Sequence, residues 1–247
     1  SFMLKKLDTM VSPLVKIIPF SMLKCPDTSS WTAHFNTTAF HPSSSLRSFV
    51  DFSQSYVGGD EGEGPVTEDN WMNCFHGPSE CLGHKTILCA KDVSAKPTSN
   101  SAATLDYRWF DMTVCMGGPG GIPGVTYNHT YSIPNNAESC AVQAGLDWSD
   151  INSCVHDEMG GKLLHDSHFD TMELFAKHGG YNPEGHGYKP PLIPNIWIFD
   201  RITGKPMEYN DKFDHERNPY VDVVKRICDA GHWEGEDAPS ECAESGF

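Results

Sequence analysis

The spacing of apolar and polar positions divides the chain into a strand-rich beginning, a long helical middle and a strand-rich end. Residues 1–10 read as a frayed lead-in, and the apolar run from Val11 to Leu23 follows, ending at Lys24-Cys25. Its length and β-branched content predict a buried strand rather than a helix. Cys25-Pro26 marks a strand-to-helix junction, with Pro26 at the first helical position, where its missing N–H costs nothing. Trp31, Phe35 and Ala39 share one face of that helix, and His41-Pro42 ends it. Residues 47–57 predict a second strand, stopped by Gly58-Gly59 at the start of an acidic, flexible loop over 58–64.

From Trp71 to about residue 180 the pattern turns mostly helical, with segments around 80–95, 102–116, 137–146, 150–159 and 162–177. Asp147 or Ser149 is placed to cap the fourth. Two Gly/Pro-rich loops, 116–123 and 178–191, break the pattern, and the first lacks the Gly-Lys-Ser/Thr of a phosphate cradle. Leu192 to Phe199 is the clearest strand, with a turn at 200–204 and a partner strand at 205–209. Asn218-Pro219 opens the last helix, with Val221, Val224, Ile227 and Cys228 facing inward. An acidic tail from Gly231 ends near Cys242.

Strand, cysteine-led helix, strand, helical stretch, Ile-Pro strand, hairpin and helix together form the skeleton of an α/β, thioredoxin-like fold with a large, disulfide-braced helical insertion. The expected organisation is a single domain over 11–230, an insertion at about 66–180, and a tail over 231–247. Pro194 is either the cis-proline of that fold or an ordinary proline at the start of a strand.

Composition narrows the setting. The 247 residues bury a sizeable core. Against 18 Lys plus Arg stand 33 Asp plus Glu, a formal charge of −15, which repels phosphate backbones and anionic lipid. Nucleic acid and membrane surfaces are therefore not expected partners, and no apolar stretch reaches the length of a spanning helix. Protonation of carboxylates and of the 12 histidines would relieve this repulsion in an acidic compartment. Nine cysteines, at 25, 74, 81, 89, 115, 140, 154, 228 and 242, suit an oxidising compartment. The sequons at Asn36 and Asn128 point the same way. The chain opens Ser1-Phe2-Met3 without a signal peptide, which reads as the mature form of a secreted protein.

Nine is odd, so one thiol is left over, and Cys25 is the candidate. A sulfur at a helix N-terminus sees unpaired N–H groups that favour its thiolate. The residue three positions on, where a resolving cysteine would stand, is Thr28; its hydroxyl can hydrogen-bond a thiolate but cannot resolve a mixed disulfide. A free, partly exposed Cys25 fits a single-cysteine role, and a paired or buried structural cysteine is the bland reading.

Cys74, Cys81 and Cys89 fall within sixteen residues. With His76 and His84, Cys74 and Cys81 could form a zinc site, but the spacing matches no common finger, so disulfides are expected and no metal or cofactor. His76-Gly77 then shapes a turn, and Glu80 begins the next helix. Cys228 with Cys242, and Cys140 with Cys154, are the pairings that proximity suggests. Asp157-Glu158, and Asp166 beside His165 and His168, read as a solvated helix face. His178 and His186 read as surface polar residues, and Trp31 and Trp197 as core.

Cys74, His76, Gly77, Glu80, Cys81 and Cys89 stand in the register of the signature of the gamma-interferon-inducible lysosomal thiol reductase (GILT) family, which this chain resembles. Phe75 replaces the signature Gln and His84 the Asn. Cys25-Pro26, Cys115, Leu163-Leu164-His165, Ile193-Pro194 and the two terminal cysteines follow the family's order, so the resemblance covers most of 13–242. It implies a thioredoxin-like fold, eight cysteines in disulfides (74, 81, 89, 115, 140, 154, 228, 242), and a glycosylated protein in a lysosomal or vacuolar lumen or outside the cell. It also implies reduction of disulfide-containing protein substrates at acidic pH, with Cys25 as nucleophile. The family's second active-site cysteine is Thr28 here.

Two functions are expected from these residues. One is a single-cysteine thiol–disulfide oxidoreductase, with a small-molecule thiol as reductant and Pro194 presenting backbone to substrate. The other is a secreted binding protein that kept the fold and lost turnover. An unpaired Cys25 also allows a disulfide-linked dimer.

Overall fold

The computed structural model describes residues 14–58, 72–95, 105–117, 133–178, 193–208, 223–233 and 238–244. Most of each loop predicted at 58–64, 116–123 and 178–191 lies outside these residues, as do Asn128, His186 and the predicted helix opening at Asn218.

The strand expected before Cys25 is β1 (Val15–Ser21), and its alternation explains the two-sided core. Val15 and Ile17 point into the main cluster, whereas Ile18 and Phe20 join Val57, Phe175, Ile193 and Trp197 on the opposite face. A strand buried on both faces is a central strand. β1 accordingly lies between parallel segments β2 (Val50–Phe52) and β3 (Ser55–Tyr56) on one side and antiparallel β4 (Asn195–Phe199) on the other. The hairpin strand β5 (Pro206–Glu208) completes the mixed sheet as its outer edge.

The second strand is shorter than the 47–57 expected and comes in two pieces. Its start is a 3-10 turn, Ser45–Ser48, because the Ser44 hydroxyl accepts from the Leu46 amide, and Arg47 is drawn to the Phe40 carbonyl and to Asp111. β2 and β3 then keep one offset along β1, with Val50 opposite Val15 and Ser55 opposite Phe20. Between them Ser53 N–H donates to the Ile17 carbonyl, and Gln54 turns its side chain inward to the Ser21 hydroxyl.

Helix α1 (Pro26–Thr38) packs Trp31 and Phe35 into the main core, where Phe35 contacts Phe40, Phe52 and Phe110. Trp31 and Trp197 are both buried, as expected. The helical middle comprises α2 (Pro78–Ala95), α3 (Arg108–Gly117), α4 (Ala137–Gln143), α5 (Trp148–His156) and α6 (Glu158–His178). α3 starts later than 102 because Asp106 accepts from the Arg108 amide, and the Tyr107 hydroxyl is held at β2, donating to the Val50 carbonyl and accepting from Phe52 N–H. α4 ends earlier than 146. Gly145 takes a positive φ of 70°, and Leu146 N–H reaches back to the Ala141 carbonyl, a closure that a glycine at this position permits. Asp147, rather than Ser149, caps α5 by accepting from the Ser149 amide.

The four disulfides join Cys74 to Cys81, Cys89 to Cys154, Cys115 to Cys140 and Cys228 to Cys242. The expected Cys228–Cys242 pair forms; the expected Cys140–Cys154 pair does not. Although α4 and α5 are neighbours in sequence, Cys140 faces α3 and Cys154 faces α2, so each closes onto an earlier helix.

The region expected to be a tail carries helix α8 (Ser240–Glu244), tied by its disulfide to α7 (Val223–Gly231). Glu241 accepts from the Ser44 hydroxyl at 2.6 Å and the Ser45 amide at 2.9 Å, and pairs with the Ser45 hydroxyl. Burial pushes this carboxyl up, but the serine hydrogen bonds outweigh it and hold the group at about 2, against an ordinary 4.5. A depressed folded-state value contributes stability above the unfolded value and loses it as pH falls through the folded one. Glu241→Gln is therefore expected to lower the melting temperature at pH 6, the gap to wild type closing between pH 4.5 and 2. A gap that stays constant across that range would show that Glu241 docks α8 without its charge.

Candidate functional site

Cys25 is the one cysteine outside the four disulfides. It is the N-cap of α1 in extended geometry (φ −71°, ψ 125°), with Pro26 following in the first turn. Its amide closes a turn onto the Met22 carbonyl at 2.9 Å, and its carbonyl accepts the first helical bond, from Ser29, at 3.1 Å. The thiol is free, as expected, but not partly exposed: Cys25 is 8% accessible. Burial pushes its ionisation up, and the first-turn backbone at Thr28 and Asp27 lowers it against that shift without a regular cap hydrogen bond to the sulfur. The Asp27 carboxylate adds to the rise. The helix N-terminus thus favours the thiolate, as expected, but burial outweighs it.

Thr28 is 2% accessible and turns its hydroxyl toward the sulfur, lowering the thiol's ionisation. That hydroxyl makes no regular hydrogen bond to another protein atom. Ile193–Pro194 is a cis peptide and Pro194 is buried. Because Phe20 stands opposite Asn195, the register puts Pro194 at the end of β1 that leads into Cys25.

The Cys74–Cys89 stretch reaches this same place. Gly77, with φ 81°, turns the chain into α2, so His76-Gly77 shapes the expected turn. Glu80 is fully buried near the start of α2. Its Oε1 accepts from the Lys24 amide at 3.0 Å and lies 2.8 Å from His76 Nδ1; its Oε2 accepts from the His76 amide at 3.1 Å. One turn on, His84 is also fully buried, stacked on Tyr56 at 4.1 Å. Its Nε2 accepts from the Leu23 amide at 3.1 Å. Burial, followed by the nearby His168 and His76, lowers its ionisation well below the ordinary value and keeps the ring neutral. With Nε2 accepting, the ring proton sits on Nδ1, which faces the Cys74 sulfur at 3.7 Å. Lys24 Nζ donates to the Ser79 hydroxyl at 2.8 Å. Sequence reasoning left Glu80 and His84 as scaffold. Only their membership of a dense motif marked them, and nothing local shows that their partners lie 56 and 61 positions away.

The zinc set considered from sequence does not assemble as thiolates, since Cys74 and Cys81 are bonded to each other and His76 turns to Glu80. Among the described residues Cys74, His84 and His168 offer ligand atoms within 4.8 Å of one another. As they stand they do not fit a metal, because the sulfur is spent in a disulfide and His84 Nδ1 carries a proton. His168 is fully buried, not on the solvated face expected, because α6 turns Leu164, Ser167, His168, Thr171 and Phe175 inward. There Ser167 and Thr171 hold the backbone of Tyr56. Asp166 does stay at the surface, paired with Lys162. Asn36 lies on α1 beside the exposed Thr37 and Thr38.

The geometry defines a disulfide-braced, mixed α/β protein with one unpaired thiol at a helix N-terminus. Residues 16–144 match the family described as Gamma interferon inducible lysosomal thiol reductase (GILT), and the chain belongs to that family. A Drosophila melanogaster protein named GILT-like protein 1 is 25% identical over 221 residues, covering 83% of this chain and 70% of its own length. No described helix is long and apolar enough to cross a membrane.

Proposed function

We propose that this protein is a thiol–disulfide oxidoreductase that acts on protein disulfides through the single nucleophile Cys25. The observation that carries this reading is the placement of the one unpaired cysteine at the N-terminus of α1, where the first-turn backbone at Thr28 and Asp27 lowers its ionisation against burial. The fold behind it is a thioredoxin-like domain over 11–230 with an insertion at about 66–180. Support comes from the strand order β2-β1-β4-β5, the antiparallel β4 and the cysteine-led helix after β1.

In the proposed cycle the Cys25 thiolate attacks one sulfur of a substrate disulfide. That S–S bond breaks, a Cys25–substrate disulfide forms, and the departing substrate thiolate takes a proton. With Thr28 unable to attack, a small-molecule thiol displaces the substrate and leaves Cys25 in a mixed disulfide with that thiol. A second thiol molecule then regenerates Cys25 and departs as the oxidised dimer of the reductant. Thr28 steadies the thiolate and Pro194 presents backbone beside it. Because burial holds the thiol protonated, the rate of attack is expected to rise with pH through neutrality. We place the protein in a secreted or lysosomal lumen, with Asn36 and Asn128 as glycan sites.

Wild type and Cys25→Ser are compared in disulfide reduction with excess external thiol. The expected result is that the variant falls to the rate of the thiol alone, and equal rates would sink the proposal. A non-reducing gel of the wild type before thiol is added shows whether Cys25 is instead consumed in a covalent dimer.

A further inference from the structure

We propose that Glu80 and His84 are positioning residues for Cys25, holding the segment before it through the amides of Lys24 and Leu23. This rests on the reading of Cys25 as the nucleophile, and it moves the Cys74–Cys89 stretch from scaffold to the rear wall of the reactive site.

The sheet stops at Ser21, and α1 begins at Pro26. The buried residues between them need acceptors that neither element supplies. Leu23 is 2% accessible, and its amide finds only a side chain, the His84 ring. The next amide, of Lys24, finds only the buried Glu80 carboxylate. Two successive amides are thus gripped from residues one helical turn apart on α2, which lie on the same helix face. Each holder is itself held. Glu80 is fixed by the amide and ring of His76, and His84 is clamped between the Tyr56 ring and the Cys74–Cys81 disulfide. That disulfide closes the turn that delivers both residues, and its Cys74 sulfur accepts a hydrogen bond from His84 Nδ1–H.

The consequence for Cys25 is geometric. Its sulfur is buried at the N-terminus of α1, and the first-turn backbone at Thr28 and Asp27 favours its thiolate. That influence falls off within the first turn of the helix. If residues 23 and 24 swing free, the sulfur moves relative to the helix terminus and loses it, while its burial and the Asp27 carboxylate continue to oppose ionisation.

The test is the pH profile of Cys25 alkylation by iodoacetamide in the intact protein, read by peptide mass spectrometry. Thermal unfolding is run beside it for wild type, Glu80→Ala, Glu80→Gln, His84→Ala and His84→Gln. The expected result is that the midpoint of the profile rises by about one pH unit in both alanine variants, which makes alkylation below it about tenfold slower. The glutamine variants keep an acceptor and return toward the wild-type profile. A folded alanine variant with the wild-type profile would overturn the proposal. So would a Glu80→Gln variant as impaired as Glu80→Ala, which would assign the effect to charge rather than to the held amide. Should the alanine variants not fold, hydrogen exchange in the wild type decides: slow exchange at Leu23 and Lys24 supports the clamp and fast exchange overturns it. Alkylation needs no turnover, so a wild type that alkylates at Cys25 yet reduces no disulfide refutes the oxidoreductase reading and leaves the clamp standing.

Discussion

Thr28→Cys is expected to form a disulfide with Cys25 and to release turnover from its dependence on external thiol at the resolving step. Position 28 is one turn into α1 from the N-cap, so its side chain rises on the same face as the sulfur. Cα atoms three residues apart on a helix lie about 5 Å from each other, within the Cα range a disulfide spans. Thr28 is already buried with its hydroxyl turned to the Cys25 sulfur, and a thiol of similar volume fits without new space. A thiol held there attacks the mixed disulfide intramolecularly. At millimolar external thiol, the gain in resolution is expected to be about tenfold or more, because positioned groups act at effective concentrations far above that. Two measurements check it. Alkylation mapping of the oxidised variant should show neither thiol free, and single-turnover release of a trapped substrate should proceed without added thiol. A variant whose mixed disulfide persists as long as the wild type's would mean that position 28 does not face the reacting sulfur.

The second large effect belongs to stability. Cys89–Cys154 joins α2 to α5 across 65 residues, the longest separation of the four disulfides. Constraint of the unfolded chain grows with the loop closed, which gives about 4 kcal/mol for this bond and roughly 2 kcal/mol for the short Cys74–Cys81 loop. Cys89 is also fully buried, so its removal disturbs packing as well. The double variant Cys89→Ala/Cys154→Ala is expected to melt about 10 °C or more below wild type. Cys74→Ala/Cys81→Ala should lose less stability while disturbing Cys25, through His84. Equal losses in the two variants would show that loop length does not rank these bonds.

The sites of these two predictions differed in how readily the sequence disclosed them. Cys25-Pro26 after an apolar run announced a strand–helix junction because both signals are local: a short, β-branched apolar run up to Leu23 and the tolerance of a first helical turn for proline. The odd cysteine count pointed to Cys25 as the unpaired one. The Ile193-Pro194 strand and the five middle helices were legible for the same reason, since each is written in periodicity over a few turns. Helix ends were less legible. α3 starts late because Tyr107 is bound to β2, a contact that no window of α3's own residues contains.

By itself, then, the sequence determined the family, through six signature residues in register, along with the order of the elements and the identity of the unpaired thiol. Local spacing suffices for these, because a motif and a helix both repeat over short distances. Only the tertiary structure decided that Cys154 closes onto α2 rather than α4, that Cys25 is buried, and that Glu80 and His84 hold the two amides before it. Those facts depend on how α2 docks beside the end of β1. The partners lie more than fifty residues apart, and it is packing that brings them within 3.1 Å of one another.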